Sequence, residues 1–466
     1  MSSNRLTFDV VVIGAGPAGY TTAISLAQQG KKVVCIDENN CGGECLNHGC
    51  IPSKAFLNAA KAYYSLDEMK AFGVNVSKKD FDMKALQDWK GRRVVKKLTS
   101  GINFLFKTKN VEYLKGKAFF IDKNTIRVMS AENGMIDIQT SYAVIAVGSK
   151  FKTVSDLEPD GKTIFSPKEI LEIDFIPETV TILGGGYIGF ELGFFYLYLG
   201  KKVTVIESMK TILGELDEDL RILVQDSFKK LGGEIHTSST FKEFKNSQVT
   251  FAVGGEDKQI DSQIILVSVG KEWDFKPLRI HKLDNLRLNE NGSIAVKETL
   301  ETSITGVYAV GDCNGGPLLA HKAIMEGTVA AESIATIGNK PSRKRLIPYT
   351  VFSEPEIAYV GMTEKQAISK GINYHLGIFP NSALGINNII GNKIGFTKII
   401  VKESDSTIIG AKVAGKNASI LIGELTLAIQ KKLKADELGK IIHVHPSQAE
   451  AIQESALSAL KQSIHY

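Results

Sequence analysis

Short apolar runs alternate with amphipathic stretches along this chain, and glycines mark the junctions. Asp9-Val-Val-Val-Ile-Gly14 is an unbroken apolar run, as expected of a strand buried on both faces. Glycines follow at 14, 16 and 19, then helical spacing from Tyr20 to Gly30, then a second apolar run ending at Asp37. Strand, glycine turn, helix, strand and acid together form the context required of a dinucleotide-binding fingerprint. Gly14 permits the tight turn, Gly16 lets the backbone approach a pyrophosphate, and Gly19 lets the helix pack closely on the strand. The helix N-terminus offers free N–H groups to the phosphates.

The same pattern returns at Gly184, Gly186 and Gly189 and ends at Glu207, and 23 residues separate first glycine from acid in both copies. One such motif is weak evidence, but two with matched spacing and matched terminal acids are strong. Each copy closes with an apolar strand running into glycine, Gly148 in the first and Gly270 in the second. These lie 134 and 86 residues after the respective first glycines, so the first copy carries 48 extra residues, which include a cysteine cluster. Another strand runs into Asp312, and Pro341-Ser-Arg-Lys-Arg345 reads as a solvated basic connector. Beyond it the chain turns to alternating β-type runs and two late helical stretches, without a glycine fingerprint. The expected organisation is α/β. Residues 1–150 and 151–271 form two Rossmann-like dinucleotide-binding domains, 272–345 complete the first site, and 346–466 form a separate α+β domain.

Length agrees, since 466 residues exceed what one core of ~250–300 residues can organise. The net charge of +5 comes without a dense basic stripe and gives no argument for nucleic acid. No apolar run approaches the ~20 residues needed to span a bilayer. Met1 to Phe8 lead straight into a strand, leaving no room for a signal peptide, so a cytoplasmic, non-membrane protein is expected. Glycine is in excess, at 43 residues against 12 prolines, which suggests close backbone approaches rather than disorder.

Four of the five cysteines fall between Cys35 and Cys50, unlike the even pairing of a secreted disulfide scaffold. Cys35, mid-strand, reads as a small buried hydrophobe. For Cys41, Cys45 and Cys50 three readings stand side by side: buried structural thiols, a metal or iron–sulfur site completed by His48, or a redox-active disulfide between Cys45 and Cys50. In a regular helix, residues five apart have Cα atoms about 8.7 Å apart, whereas a disulfide needs roughly 4.4–6.8 Å. A Cys45–Cys50 bond would therefore require a distorted turn, for which Gly49 and Pro52 supply the means.

Gly42-Gly-Glu-Cys-Leu-Asn-His-Gly-Cys-Ile-Pro-Ser-Lys54 closely resembles the active-site stretch of the flavin-dependent pyridine nucleotide–disulfide oxidoreductases, a resemblance that extends from Asp9 to about Ala456. It implies FAD in the first nucleotide unit, NAD in the second, and a redox disulfide between Cys45, which meets substrate, and Cys50, which lies against the flavin. It implies an ion pair of Lys54 and Glu191 beside flavin and nicotinamide, and Asp312 on the ribityl chain, followed by Ala320 and His321. Gly43, Ala118 and Gly148 join Gly14, Gly16, Gly19 and Asp37 at the FAD. Gly270 joins Gly184, Gly186, Gly189 and Glu207 at the NAD. His445, in His443-Val-His-Pro-Ser-Gln-Ala-Glu450, resembles the family's acid/base, oriented by Glu450 and supplied by the partner subunit, which implies an obligate homodimer. Thiol chemistry needs such a base, because the thiolate is the nucleophile and its proton must be held near neutral pH. His443 reads as a structural histidine, and no resident metal is expected.

Glu207 favours NAD, since a carboxylate accepts from ribose hydroxyls and repels a 2′-phosphate, and no arginine pair follows it. That counts against glutathione and trypanothione reductases, and the tail lacks the cysteine pair of mercuric reductases. The branch most resembled oxidises dihydrolipoamide on a lipoyl-carrying protein of a 2-oxoacid dehydrogenase or glycine-cleavage complex. The alternatives are another disulfide or mercuric reductase of this family, or a redox-sensing or metal-binding relative without turnover. Four positions depart from the pattern: Glu44 and Val147 stand where threonine is usual, Ser447 likewise, and Gly270-Lys-Glu-Trp273 replaces a Gly-Arg-x-Pro. Glu44 is expected to repel the flavin phosphates and to raise the pKa of Cys45.

Overall fold

The computed structural model describes residues 4–77, 79–132, 134–154, 157–336 and 345–466, so residues 341–344 of the expected connector lie outside the described residues. The chain divides into two compact units. One gathers Met1–Ala62, Asn75–Ile176 and Val267–Lys344; the other gathers Tyr63–Val74, Pro177–Leu266 and Arg345–Tyr466.

In the first unit β1 (Asn4–Ile13), α1 (Pro17–Gln28) and β2 (Val33–Asp37) follow the predicted order. α1 begins at Pro17 rather than at Tyr20, because proline's fixed φ and missing N–H suit a first helical turn. Two consecutive helices come next, α2 (Gly43–His48) and α3 (Cys50–Glu68). Then β3 (Val111–Lys115), β4 (Lys117–Asp122), β5 (Thr125–Ser130) and β6 (Gly134–Ile145) complete a sheet of order β3-β2-β1-β6-β5-β4, and the strand Val307–Ala309 pairs in parallel with β6. β1 lies parallel to both β2 and β6. Its Val10 and Val12 enter one core and its Val11 and Ile13 another, which explains the unbroken apolar run. Each such side chain contributes on the order of 1.5–3 kcal/mol. α1 packs on the helix Ala320–Ala335, where a Cβ on Gly327 would stand 2.6 Å from the Ala18 carbonyl oxygen.

The second unit repeats the motif: strand Thr179–Leu183, helix Tyr187–Tyr198 and strand Lys202–Ile206. Strand Glu234–His236 lies outside Lys202–Ile206, and Ile264–Val267 lies beside Thr179–Leu183. The same unit holds the C-terminal five-stranded antiparallel sheet, in the order Tyr349–Val351, Ile357–Gly361, Ile408–Ala414, Phe396–Lys402, Tyr374–Pro380. Helices Ala418–Gln430 and Glu450–Ala459 pack on it through Ile422, Leu425 and Ile452. Among the described residues no helix is long and apolar enough to cross a membrane.

Candidate active site

Both fingerprints adopt one geometry. Gly14 and Gly184 sit at φ of 103° and 101°, a region open to glycine. A Cβ on Gly19 would lie 1.8 Å from the Gly14 carbonyl oxygen, so helix and turn touch there. Gly189 is buried in the first turn of its own helix. Gly16 and Gly186 are the N-caps of the two helices, with no capping side chain and no acid in either first turn. A helix N-terminus without a capping acid suits an anion. Each terminal acid staples its turn. Asp37 accepts from the Ala15 N–H at 2.7 Å and the Asn39 N–H at 2.8 Å, and Glu207 accepts from the Gly185 and Met209 N–H groups, both at 2.6 Å. Burial pushes the Asp37 carboxyl up, against the hydrogen bond from Ala15.

The residues around the first turn fit a flavin dinucleotide. Gly43 lies over Gly16, and a Cβ on Gly43 would stand 2.6 Å from the Gly16 Cα, so the backbone there is bare on both sides. Asp312 is held by the Ser149 hydroxyl at 2.7 Å, and its carbonyl accepts from Trp273 Nε1 at 2.7 Å. Behind it Lys322, only 4% exposed, donates to Gly311 and Gly315 carbonyls and to Asn314, while Glu326 accepts from the Gly311 N–H and Asn314. That network fixes residues 311–315 immediately before Ala320, the first residue of its helix, and exposed His321. Ala118 is half-buried on β4. Gly148 and Gly270 both have positive φ, 71° and 107°.

The two candidate redox cysteines flank a helix break. α2 ends at His48, Gly49 takes φ −136° and ψ −112°, and α3 starts at Cys50. The distorted turn anticipated between the two cysteines is therefore present, at Gly49. Asn47, buried, ties the preceding loop by donating to the Cys41 and Gly43 carbonyls at 3.0 and 2.9 Å. The two are thiols rather than a disulfide, Cys45 half-buried and Cys50 exposed. Hydrogen bonding to the Cys50 sulfur, then burial, pushes the Cys45 thiol up, while the Lys54 ammonium one turn further along α3 opposes the shift. The other thiols are sealed. Burial pushes Cys41 up to about 11 and Cys313 up to about 12; Cys41 donates to Asn103 and Cys313 to the Val310 and Ile145 carbonyls. Cys35 is fully buried, and burial raises it well above the ordinary thiol range. Among the described residues no group of three or more His, Cys, Asp or Glu side chains is placed to hold a metal ion.

Glu44 does not stand as the bare carboxylate expected from the sequence. Its Oε1 forms an ion pair with Lys271 Nζ, so two of the departures from the family pattern meet each other and neutralise the expected repulsion. Val147, another departure, is partly exposed, and nothing in the structure explains the substitution.

In the second unit Glu191 is buried on the helix Tyr187–Tyr198 and its Oε1 accepts from the Phe352 N–H at 3.1 Å, unlike a solvated surface charge. Lys54 belongs to the first unit. His445 Nδ1 lies 2.7 Å from Glu450 Oε1, and Glu450 Oε2 accepts from the Ser447 N–H at 2.7 Å. His443 is satisfied on both ring nitrogens, by Glu424 at 3.0 Å and the Ile441 carbonyl at 3.1 Å. Sequence reasoning noted Lys271 and Trp273 only as departures from the family pattern, and missed the roles of Asn47, Glu424 and the Lys322–Glu326 pair. Only the last left a local signal, a lysine and a glutamate at i,i+4 just after Asp312.

Two family models match the chain: pyridine nucleotide-disulphide oxidoreductase over residues 8–327, and the dimerisation domain of the same family over residues 347–456. A dihydrolipoyl dehydrogenase of Geobacillus stearothermophilus is 37% identical over 463 residues, 98% of this chain and 97% of its own. That of Bacillus subtilis is equally similar, and dihydrolipoyl dehydrogenase 2 of Haloarcula marismortui is 34% identical over 466 residues, 98% of each chain. Among solved structures, LpdA from Mycobacterium tuberculosis superposes with a TM-score of 0.89 at 23% identity, covering 97% of this chain and 99% of that one. The HOCl-induced flavoprotein disulfide reductase RclA from Escherichia coli does so at 0.84 and 24% identity, over 95% and 98%. At that identity both likenesses speak for the fold alone.

Proposed function

Because the chain belongs to the pyridine nucleotide–disulfide oxidoreductases, flavoenzymes that use FAD and NAD, we propose that it oxidises dihydrolipoamide to lipoamide with reduction of NAD+. The substrate is carried by a lipoyl protein of a 2-oxoacid dehydrogenase or glycine-cleavage complex, in the cytoplasm. The observation that carries this reading is the apposition of Cys45 and Cys50 across the helix break at Gly49, beside the bare Gly16–Gly43 backbone.

One thiolate of dihydrolipoamide attacks Cys45 Sγ of the oxidised pair. The S–S bond to Cys50 breaks, a mixed disulfide forms, and Cys50 leaves as a thiolate. The partner subunit's His445 takes the proton of the attacking thiol. The second substrate thiol then attacks the substrate sulfur of the mixed disulfide and its proton passes to the departing Cys45 sulfur, so the lipoyl ring closes with the substrate two electrons poorer. Lys54 lies within electrostatic reach of Cys45 and favours its thiolate. Gly14, Gly16, Gly19, Gly43 and Asp312 would hold the FAD, which supplies the two-electron relay from the dithiol to NAD+. Gly184, Gly186, Gly189 and Glu207 would hold the NAD.

Anaerobic titration of the purified holoenzyme with dihydrolipoamide or NADH tests this. A long-wavelength thiolate–flavin charge-transfer band is expected in wild type. Cys45→Ser should reduce lipoamide turnover by at least about 10³-fold. Absence of the band together with full activity of Cys45→Ser would overturn the mechanism. Faster turnover of glutathione disulfide or mercuric ion than of dihydrolipoamide would overturn the substrate.

A further inference from the structure

We infer that Lys271 is a positioning residue for the reactive thiol: paired with Glu44, it fixes the turn that carries Cys45 and cancels a negative charge that would otherwise stand next to the thiolate. The inference rests on the reading of Cys45 as the thiol that meets substrate. Glu44 lies in the first turn of α2, where the helix dipole tolerates a carboxylate. Its neighbour in sequence, Cys45, must ionise to react, however, and a like charge nearby opposes ionisation. Lys271 supplies the missing countercharge from a point 227 residues away in sequence.

Its own placement is built rather than incidental. The Lys271 side chain is only 10% exposed and its ammonium lies 4.5 Å from the Phe151 ring centroid. An ammonium so enclosed is costly without a charged partner. The backbone beneath it is anchored in a short antiparallel ladder, with Lys271 opposite Phe151 and Glu272 opposite Lys150. Lys150 in turn pairs with Glu272 at 3.2 Å and Asp274 at 3.5 Å. On the other side of the turn, a Cβ on Gly49 would stand 3.1 Å from the Glu44 carbonyl oxygen, so the helix break packs against the residue that Lys271 holds. The other charged or titratable groups about Cys45 are Cys50 and Lys54 on α3, Tyr20 on α1, and His48, one turn along α2 and 3.9 Å from Glu172.

The test is the pH dependence of Cys45 alkylation by iodoacetamide in FAD-loaded Cys50→Ser enzyme, read by mass spectrometry of the Cys45 peptide. In that background Lys271→Met should raise the apparent pKa of the reaction by about one unit, a rate about tenfold lower near neutral pH. Glu44→Gln should shift the profile the opposite way. Lys271→Arg should keep the parent profile, and Lys271→Met combined with Glu44→Gln should return close to it. Shifts of the same sign in both single variants, or no shift in either, would overturn the inference, since a purely structural role predicts the first and a bystander pair the second. If Lys271→Met fails to retain FAD, Glu44→Gln and Lys271→Arg decide alone. The readout is the thiol itself, so failure of the lipoamide reading, seen in substrate turnover, is a separate outcome.

Discussion

His445 presents 78% of its side chain to solvent, while Glu450 holds its Nδ1 and is itself held by the Ser447 backbone. An imidazole that donates from Nδ1 to a carboxylate keeps the Nε2 lone pair for a substrate proton. Glu450→Gln weakens that orientation without emptying the site. Its kcat with dihydrolipoamide should fall on the order of 10²-fold, with a smaller change in KM, in steady-state assays. The charge-transfer band raised by NADH should persist, because it does not need the base. Loss of that band in Glu450→Gln would mean the residue supports folding instead. At this scale the sequence was legible wherever the signal is local. The glycine turns, the acids 23 residues on, and a histidine five residues before its glutamate are patterns short enough to read along the chain. Glu44 was misjudged because its partner lies 227 residues away, and no spacing encodes that.

Between elements, the C-terminal sheet carries a buried charge network. Lys412, 4% exposed on strand Ile408–Ala414, pairs with Asp217 at 2.7 Å, Glu364 at 2.9 Å and Asp219 at 3.4 Å, and Lys398 on the neighbouring strand contacts Asp219 and Glu364. Asp217 occupies the N-cap position of the helix Glu218–Lys230 without a side-chain cap bond, and Asp219 lies in its first turn, so the cluster ties that helix to the sheet within the second unit. Burial pushes Asp219 and Glu364 up, but hydrogen bonding to Lys398 and Lys412 outweighs it and both carboxyls are held below their ordinary values. A carboxyl depressed on folding stabilises above its unfolded pKa, near ~4, and the gain disappears as pH falls through the folded value. Lys412, raised above 10.5 by Asp217 and Glu364 against burial, stabilises below 10.5 and loses that contribution at higher pH. Lys412→Met should therefore cost about 3 kcal/mol at pH 7 and flatten the acid limb. Urea midpoints at pH 7 and pH 4 check both. An unchanged acid limb would refute the linkage. The strands and helices here were legible as a β-rich segment with late helices. The network was not, because lysines inside a strand read as solvent-facing until the opposing acids are in place.

As a whole molecule the chain ends in a dimerisation domain, and the expected homodimer makes sense of an exposed apolar segment. Ile441, Ile442 and Val444 are 46%, 94% and 79% exposed, and they immediately precede His445. A monomer has no reason to display such a run beside His445, whereas a subunit interface would cover it. Ile442→Glu should shift sedimentation toward monomer and lower dihydrolipoamide turnover in parallel, with FAD content retained. A fully active monomer would show that each chain completes its own site. The duplicated nucleotide units and their different sizes followed from the two glycine repeats alone. The grouping of Pro177–Leu266 with Arg345–Tyr466 in one unit did not, because no short-range pattern in either segment encodes it.

The stapled turns constrain anyone who would re-engineer the enzyme for a phosphorylated cofactor. Glu207 is an obvious residue to replace, yet its carboxylate also holds the Gly185 and Met209 N–H groups. Exchanging it for a small neutral residue would free the glycine turn, and a new cofactor would meet a slack loop. Glu207→Gln removes the charge that repels a 2′-phosphate yet keeps a carbonyl oxygen to accept from the Gly185 N–H, so a redesign for NADPH has its best starting point in that exchange, with a cation added at Ser208.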